Sequence, residues 1–259
     1  MVRGLYTSGW SMLAIQKKMD IISNNMANAS TSGYKKDTMV FESFPDVMTK
    51  ILRDTDTASA RPYNIGTMEL GNDVGEVFTY YSQGQLSRTE NNLDMAIRDS
   101  SNAFFTVAVP NAEGEVSAFY TRDGSFVRSS SNSLVTKEGY TVLGENGPII
   151  LESGDFSVGE DGTITQEGVI IDRLLITEFA DTSALRKYGM NLIQANEDAE
   201  VVEFTGTVEQ GSMELSNVNI VREMVDMITV LRSYEANQKI LQAIDQTLDK
   251  AVNQVGAVR

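Results

Sequence analysis

The side chains of this sequence that could do chemistry are carboxylates, because the chain has 36 Asp and Glu residues but no Cys and no His. The lack of Cys and His excludes disulfides, thiolate nucleophiles, Cys/His zinc sites and acid–base catalysis by histidine. Carboxylates could still hold a metal ion through oxygen alone, or act as a pair in glycoside hydrolysis. Residues 155–167 and 197–200 are the acidic stretches to weigh for these roles.

Neither acidic stretch predicts a catalytic or metal site. Residues 155–167 have the length of a calcium-binding loop, but Glu160 stands where the loop needs glycine and Gln166 where it needs a bidentate glutamate. Glu197, Asp198 and Glu200 could pair their carboxyl groups, yet a solvated acidic face explains them more simply. The sequence therefore predicts a protein that is not an enzyme and that has no cofactor and no metal ion.

The acidity of the chain is confined to its middle. Residues 41–210 carry eleven Lys/Arg against twenty-eight Asp/Glu, whereas residues 1–40 carry five against two and residues 211–259 carry five against six. A strongly acidic middle repels phosphates, which argues against a nucleic-acid partner. No apolar run approaches the roughly 18–20 residues that cross a bilayer, so no direct membrane insertion is expected. The first residues also lack the pattern of a cleavable secretory signal.

The first thirty residues have the apolar spacing of a long amphipathic helix. Two sets repeat every seven residues, one three positions after the other: Leu5, Met12, Met19, Met26 and Ser8, Ile15, Ile22, Ala29. Trp10, Leu13 and Ile21 make the apolar stripe wider than a two-helix contact needs. We predict an N-terminal helical segment over residues 1–34, which Gly33 ends in a left-handed conformation.

The last forty residues repeat this design, and we predict a helical segment over residues 211–259 that begins near Ser216 and Asn217. Its apolar positions follow alternating steps of three and four residues, with Gln238 and Asp245 as polar interruptions: Ile220, Met224, Met227, Leu231, Tyr234, Leu241, Leu248, Val252, Val255.

Between the two helices the composition changes to that of an antiparallel β-domain, predicted over residues 85–210. Turn dipeptides at Asp123-Gly124, Asn146-Gly147 and Asp161-Gly162 favour tight hairpins. Four segments have strand character: Phe104–Val109, Ser117–Thr121, Tyr140–Leu143, Val169–Glu178. Residues 35–84 are predicted as an extended connecting arm. The fold class is α+β, with long terminal helices forming a coiled-coil-like core and an inserted, mostly antiparallel β-domain.

The width of the two helical stripes leaves two arrangements open. The helices could form an intramolecular hairpin that supports the β-domain. Alternatively, they could be exposed in the monomer and pack in the core of a repeating assembly, with the acidic β-domain facing solvent. The pattern alone favours neither.

Three collinear segments resemble the flagellar rod and hook protein family. Residues 5–14 and 19–28 resemble its N-terminal signature, which continues into Thr31-Ser32-Gly33-Tyr34-Lys35, with Ser32 in place of the family's proline. Residues 210–219, 223–228 and 232–239 resemble its entry into the last helix and the middle of that helix. Residues 83–86, 89–97, 104–105 and 120–126 resemble the front of its middle domain, with Ala103 in place of a glycine. The length favours rod proteins of the FlgF/FlgG type, the distal rod over the proximal rod.

The resemblance implies a structural subunit of the bacterial flagellar basal-body rod, a hollow helical drive shaft that passes torque from motor to hook. It implies partners of three kinds: further copies of the chain, other rod proteins and the hook protein, and the flagellar type III export apparatus. The protein is then expected in the basal body, in the periplasm or cell-wall region. The alternatives are a coiled-coil surface or adhesin-like binding module that forms a closed oligomer, and a secreted carboxylate-dependent hydrolase.

The residues expected at subunit interfaces lie on the two terminal helices. Asn24, Asn25 and Asn28 could bond between subunits, although helix capping and turn formation explain them nearly as well. The full set is Leu5, Met12, Ile15, Met19, Ile22, Asn24, Asn25, Met26, Asn28, Ile220, Met224, Met227, Leu231, Tyr234, Leu241 and Leu248.

Overall fold

The computed structural model describes residues 2–43, 47–51, 63–68, 71–110, 116–152 and 154–255, which form two compact units. The first comprises residues 1–24, 37–78 and 221–259 and is called the helical unit. The second comprises residues 25–36 and 79–220 and is called the β unit.

The helical unit contains the bodies of the two long helices and four strands. Helix α1 is Val2–Ala27, and helix α2 is Ile220–Lys250, followed by a π-helical turn at Ala251–Val255. The strands are β1 (Asp37–Ser43), β2 (Val47–Ile51), β3 (Tyr63–Met68) and β4 (Asn72–Thr79). Strand β1 pairs with β4, and β2 pairs antiparallel with β3. Residues 35–84, predicted as an extended arm, thus contain strands paired in two small sheets.

The β unit contains seventeen further strands among the described residues. They are β5 (Leu86–Arg88), β6 (Met95–Arg98), β7 (Ala103–Pro110), β8 (Val116–Thr121), β9 (Val127–Arg128), β10 (Leu134–Val135), β11 (Thr141–Gly144), β12 (Gly147–Pro148), β13 (Phe156–Val158), β14 (Thr163–Gln166), β15 (Val169–Arg173), β16 (Ile176–Phe179), β17 (Leu185–Tyr188), β18 (Leu192–Ala195), β19 (Val201–Val202), β20 (Thr207–Gln210) and β21 (Ser212–Glu214).

A ten-stranded sheet is the largest element of the β unit. Its main path runs β17-β18-β8-β7-β11-β10-β9, with β12 paired to β11, and β16 joining β7 to β19. Strands β13, β14 and β15 form a three-stranded sheet, and β20 pairs with β6 and β21 with β5. Every strand pair with a described register is antiparallel, in agreement with the predicted β-domain.

Strand β7 lies at the centre of the sheet and is covered on both faces. Successive side chains of a strand point to opposite faces, and accordingly Phe104 and Phe105 enter different apolar clusters. The Phe105 ring meets the Phe126 ring edge-on, with centroids 5.2 Å apart. The Phe104 ring meets Tyr81 edge-on at 5.7 Å. All four strand predictions fall on strands, although residues 169–178 divide into β15 and β16.

Two of the three turn dipeptides close hairpins as predicted. Asn146-Gly147 joins the antiparallel pair β11–β12, and Asp161-Gly162 joins β13–β14. The prediction for Asp123-Gly124 was wrong, because β8 and β9 on either side of it pair with other strands. Gly124 instead passes so close to the Met95 carbonyl oxygen that a Cβ atom would overlap it. Glycine is needed there for a close backbone approach, not for a hairpin.

Candidate assembly surfaces and the buried ionic junction

Helix α1 buries one side and leaves large apolar side chains exposed on the other. Ser8, Ala14 and Ile22 are buried on its inner side. On its outer side Tyr6 is 63%, Trp10 41% and Leu13 58% exposed. These three residues follow helical steps of four and three, so they share one face, and together with Gly9 between them they are called the α1 outer face.

Helix α2 has two mostly apolar stripes on opposite sides, the first interrupted by Glu223 and Asn237. One stripe alternates steps of four and three, and its residues are buried or half-buried: Glu223, Met227, Val230, Tyr234, Asn237, Leu241, Ile244, Leu248. The other consists of exposed residues and is called the α2 outer stripe: Val221, Met224, Val225, Ile228, Leu231. Because an α-helix turns once in about 3.6 residues, these two sets lie on opposite faces.

The two helices meet along their inner sides within the helical unit. A Cβ atom on Gly4 would lie 3.2 Å from Ile244 Cδ1, and further along α1 Ala14 and Ile15 line the same pocket as Val230. The start of α1 therefore lies near the end of α2, so the helices run antiparallel. Near this end lies an open apolar groove of about 340 Å³, formed by Leu5, Tyr6, Gly9, Trp10, Leu13 and Leu241.

The sixteen residues predicted at subunit interfaces divide into inner and outer positions. Ile22, Asn25 and Asn28 are buried, and Asn24, Ile220, Met224 and Leu231 are exposed; the other nine are half-buried. Asn25 Oδ1 accepts a hydrogen bond from the Tyr34 hydroxyl at 3.3 Å. Asn28 Oδ1 accepts one from Thr31 Oγ1 at 3.2 Å. These contacts within the chain favour the turn-forming explanation for Asn25 and Asn28.

Strands β1 and β4 add further exposed apolar side chains to the helical unit. Val40, Phe41, Val77 and Phe78 are between 36% and 48% exposed. Lys18 on α1 places its ammonium group 5.2 Å from the centroid of the Phe41 ring. A two-stranded sheet is marginally stable by itself, so these exposed side chains are candidates for coverage in an assembly.

A buried ionic cluster in the β unit, called the junction, is centred on the Glu214 carboxylate. Lys35 Nζ donates to Glu214 Oε1 at 2.6 Å, and Arg122 Nε donates to Oε2 at 2.6 Å. All three side chains are at most 3% exposed. The Gly84 backbone N–H also donates to Glu214 Oε1 at 2.7 Å, and Lys35 Nζ donates to the Ser82 carbonyl at 2.9 Å. Two cations thus share one carboxylate away from water.

The remaining polar groups of Arg122 are also satisfied. Its two terminal nitrogens donate to the carbonyl oxygens of Ala103 and Ser100. Its guanidinium carbon lies 5.8 Å from the centroid of the Phe104 ring. Buried charges remain charged only where such partners replace water. Arg122 therefore connects the start of β7 to β21, the strand that contains Glu214.

Around the junction, Asn217 and Lys187 hold the segment that follows α1. Asn217 Oδ1 accepts the Lys36 backbone N–H at 2.8 Å, and Asn217 Nδ2 donates to the Tyr80 carbonyl at 2.8 Å. Lys187 Nζ donates to the Lys35 carbonyl at 3.0 Å and lies 3.6 Å from the centroid of the Tyr34 ring. The segment that follows α1 and the segment that precedes α2 are thereby both held within the β unit.

The junction brings together residues from four of the conspicuous sequence segments around α1, α2 and the front of the β-domain. Lys35, Gly84, Arg122 and Glu214 come from four separate segments that were singled out as motifs, but their mutual contact was not predicted. Ser32, where the family pattern has proline, places its hydroxyl 3.4 Å from that of Ser125. The signal available in the sequence was the presence of charged residues inside motifs otherwise rich in Gly, Ser and Asn.

Burial lowers the pKa of Lys35 from 10.5 to about 8; the Glu214 carboxylate opposes this shift and the Arg122 charge adds to it. Because the folded pKa lies below that of the unfolded chain, the unfolded chain binds more protons between pH 8 and 10.5. The free energy of unfolding then rises with pH in this window, by at most about 1.4 kcal/mol per pH unit from this group.

Lys35→Met is expected to abolish that rise while leaving Glu214 paired with Arg122. The measurement is urea unfolding of wild type and variant at pH 7, 8, 9 and 10. The readout is the difference between their free energies of unfolding at each pH. The control Lys17→Met removes an exposed lysine of α1 and should leave the pH dependence as in wild type. If the free energies of unfolding of wild type and Lys35→Met differ by the same amount from pH 7 to pH 10, the role given to Lys35 is contradicted.

In the part of the chain that the structure describes, no group of three or more carboxylates is placed to hold a metal ion. Among the same residues, neither α1 nor α2 has the length and apolarity of a membrane span.

Comparison with known families matches three parts of the chain. Residues 5–35 match the flagella basal body rod protein model, and residues 100–166 match the D1 domain of flagellar hook protein FlgE/F/G. Residues 209–255 match the C-terminal model of the flagellar basal body rod FlgEFG proteins. The first match contains most of α1 and the last contains all of α2, and Lys35 and Glu214 lie within them.

Relatives align over nearly the whole chain. The flagellar basal-body rod protein FlgG of Buchnera aphidicola subsp. Acyrthosiphon pisum is 35% identical over 96% of this chain and 98% of its own length. The flagellar hook-basal body complex protein FlhO of Bacillus subtilis is 30% identical over 100% of both chains. The flagellar basal-body rod protein FlgF of Rhizobium meliloti is 31% identical, also over 100% of both. This chain belongs to the family of flagellar basal-body rod proteins of the FlgF/FlgG type.

Proposed function

We propose that the chain is a structural subunit of the flagellar basal-body rod that polymerises into a hollow helical shaft and transmits torque from motor to hook. The family relation along the full length supports the structural role and the location in the basal body. A structural role of this kind calls for no catalytic residues.

The observation that carries the polymerisation proposal is the exposure of a second apolar surface on both helices. α1 and α2 already bury their inner sides against each other, and yet the α1 outer face and the α2 outer stripe remain exposed. Clusters of exposed large apolar side chains mark candidate interaction sites. We propose that both are covered by neighbouring subunits, in a core of coiled-coil-like helix packing.

The inner stripe of α2 supports the coiled-coil-like part of the proposal. Its alternating steps of four and three are the spacing that keeps one seam in contact with a partner helix. Interdigitated side chains along such a seam resist deformation, because packed interiors have low compressibility. A shaft that transmits torque needs that stiffness.

The charge distribution supports a core of packed helices. Residues 1–24 and 221–259 together carry eight Lys/Arg against six Asp/Glu, so many copies can pack their helices without strong repulsion. The strongly acidic β unit is better placed in solvent. Among neighbours we propose other rod proteins and the hook protein, with export through the flagellar type III apparatus, and a place in the distal rod.

Seeded polymerisation tests the proposal. The purified full-length chain is followed by light scattering with and without short fragments of preformed polymer, and the products are viewed by electron microscopy. We expect a lag that seeds shorten, and open-ended hollow filaments. A single defined stoichiometry at every concentration, unaffected by seeds, would contradict polymerisation and support the closed-oligomer binding module instead.

A further inference from the structure

We infer that Asn146 is a site of spontaneous deamidation, and that its contact with the Asp172 carboxylate keeps the reaction slow while the β unit is folded. Asn146 lies in the turn that joins β11 to β12 as an antiparallel hairpin. This modification goes beyond the proposed function and does not depend on it.

Asn146-Gly147 is the only place in the sequence where glycine follows asparagine. Deamidation begins when the backbone nitrogen of the next residue attacks the amide carbon of the asparagine side chain. Glycine hinders this attack least, because it has no side chain. Among the described residues, a Cβ atom added to Gly147 would meet no atom within 4 Å beyond its neighbours in the chain. Asn146 is exposed, so water reaches the product of the attack.

The reaction consumes only water and releases ammonia. The Gly147 nitrogen gives up its proton and bonds to Asn146 Cγ, the Cγ–Nδ2 bond breaks, and ammonia leaves with that proton. The cyclic succinimide that remains is opened by a water molecule at either of its two carbonyl carbons. One opening gives aspartate; the other gives isoaspartate, in which the main chain continues through the side-chain carbon. Both products carry a carboxylate in place of the amide.

The contact with Asp172 holds the leaving group of this reaction. Asn146 Nδ2 donates to Asp172 Oδ1 at 2.9 Å, and the Asn146 backbone nitrogen lies 3.4 Å from both carboxylate oxygens. The carboxylate is itself fixed, because Asp172 is 8% exposed and its Oδ1 accepts the Arg173 backbone N–H at 2.8 Å. A reaction of this kind needs its two atoms close and aligned. An amide bound to Asp172 is not free to turn towards the Gly147 nitrogen, so the attack requires a local opening.

Deamidation would replace this attraction by repulsion. The new carboxylate has no N–H to donate and faces the Asp172 carboxylate, and like charges at such a distance destabilise each other. The nearby cation Arg173 is already engaged, with Nη1 3.4 Å from Glu145 and Nε donating to the Asp161 carbonyl. Isoaspartate also lengthens the main chain in a short turn whose length sets the strand register. The modified hairpin is therefore looser, and the modified fraction grows with the age of the chain.

Mass spectrometry of the aged full-length chain measures the reaction. Trypsin releases residues 138–173, in which Asn146 is the only asparagine; the digestion is brief and mildly acidic, so that it adds no deamidation. Folded Asp172→Ala should deamidate at least about tenfold faster than wild type, the effect of losing a hydrogen bond to a charged acceptor. Asp181→Ala, which removes an exposed carboxylate bonded to Ser183, should match wild type. Equal rates in folded wild type and Asp172→Ala would overturn the protection, and an Asn146 that stays intact in urea would overturn the site.

Asn146→Asp tests the consequence while Asp172 stays in place, and Asn146→Ser is its uncharged control. The readout is hydrogen exchange at Ile149, whose backbone N–H donates to the Val142 carbonyl at 3.3 Å within the hairpin. Asn146→Asp should speed this exchange at least tenfold over wild type, and Asn146→Ser should speed it less, because it adds no charge. Exchange at Val208 in β20 should stay as in wild type. Identical exchange at Ile149 in the two variants would overturn the repulsion from Asp172.

Discussion

Glu214→Gln is expected to lower the free energy of unfolding of the β unit by about 3–5 kcal/mol, because it leaves the buried Arg122 cation without a carboxylate and lowers the pKa of the buried Lys35 further. Lys35 and Arg122 are both within 2.6 Å of Glu214 and at most 3% exposed. Neither can turn to water, and the neutral amide neutralises neither charge. Urea unfolding followed by β-sheet circular dichroism measures the loss.

The matched control is the same change in an exposed ion pair. Glu145 lies 3.4 Å from Arg173, with side chains 53% and 45% exposed. Glu145→Gln should change the free energy of unfolding by less than about 1 kcal/mol, since water solvates the arginine that remains. Adding Lys35→Met to Glu214→Gln should restore part of the stability, because it removes a buried amine that has lost its carboxylate partner. Equal, small losses in the two single variants would show that the junction is not held by its charges.

Leu231→Asp is expected to abolish assembly while the β unit stays folded. Leu231 is 41% exposed in the single chain, so the fold loses little, but in a polymer the carboxylate would lie in an apolar seam. Fully burying a leucine side chain contributes about 1.5–3 kcal/mol, and the 41% of Leu231 that is still exposed accounts for about 0.6–1.2 kcal/mol of this. Because about 1.4 kcal/mol corresponds to a tenfold change in affinity, lost burial alone should raise the critical concentration by roughly threefold to eightfold, and the buried carboxylate raises it further. Seeded light scattering measures it.

The conservative change Leu231→Met is the control for this position. Methionine keeps an apolar side chain of similar volume and adapts its shape, so the critical concentration should stay close to that of wild type. Circular dichroism of both variants should match wild type. Normal filaments from Leu231→Asp would remove Leu231 from the subunit interface.

The two helices could be predicted from sequence because their apolar repeats are long and regular, but the roles of their faces could not. Leu231 and Tyr234 belong to one predicted stripe, whereas in the structure Leu231 is exposed and Tyr234 is half-buried. Val230, which the prediction left out, is buried. A stripe that is wide enough for two contacts does not show which half faces the same chain. Only the position of α1 settles that.

The junction could not be predicted for a different reason. Lys35 and Glu214 are 179 residues apart, and Arg122 and Glu214 are 92 apart. Charge pairs at such separations leave no periodic signal in a single sequence. The turn dipeptides were more informative, since Asn146-Gly147 does close the predicted hairpin. The prediction failed at Asp123-Gly124 because tertiary contact with the Met95 carbonyl, not a turn, requires that glycine.

Protease protection of the free and assembled full-length chain, with trypsin fragments identified by mass spectrometry, tests whether the terminal helices are covered in the polymer. Arg232 and Lys239 lie exposed on α2, and Arg173 provides an exposed reference site in the β unit. Assembly through the terminal helices should slow cleavage after Arg232 and Lys239 at least tenfold relative to cleavage after Arg173. Equal cleavage rates at the α2 sites in free and assembled protein would contradict assembly through the terminal helices.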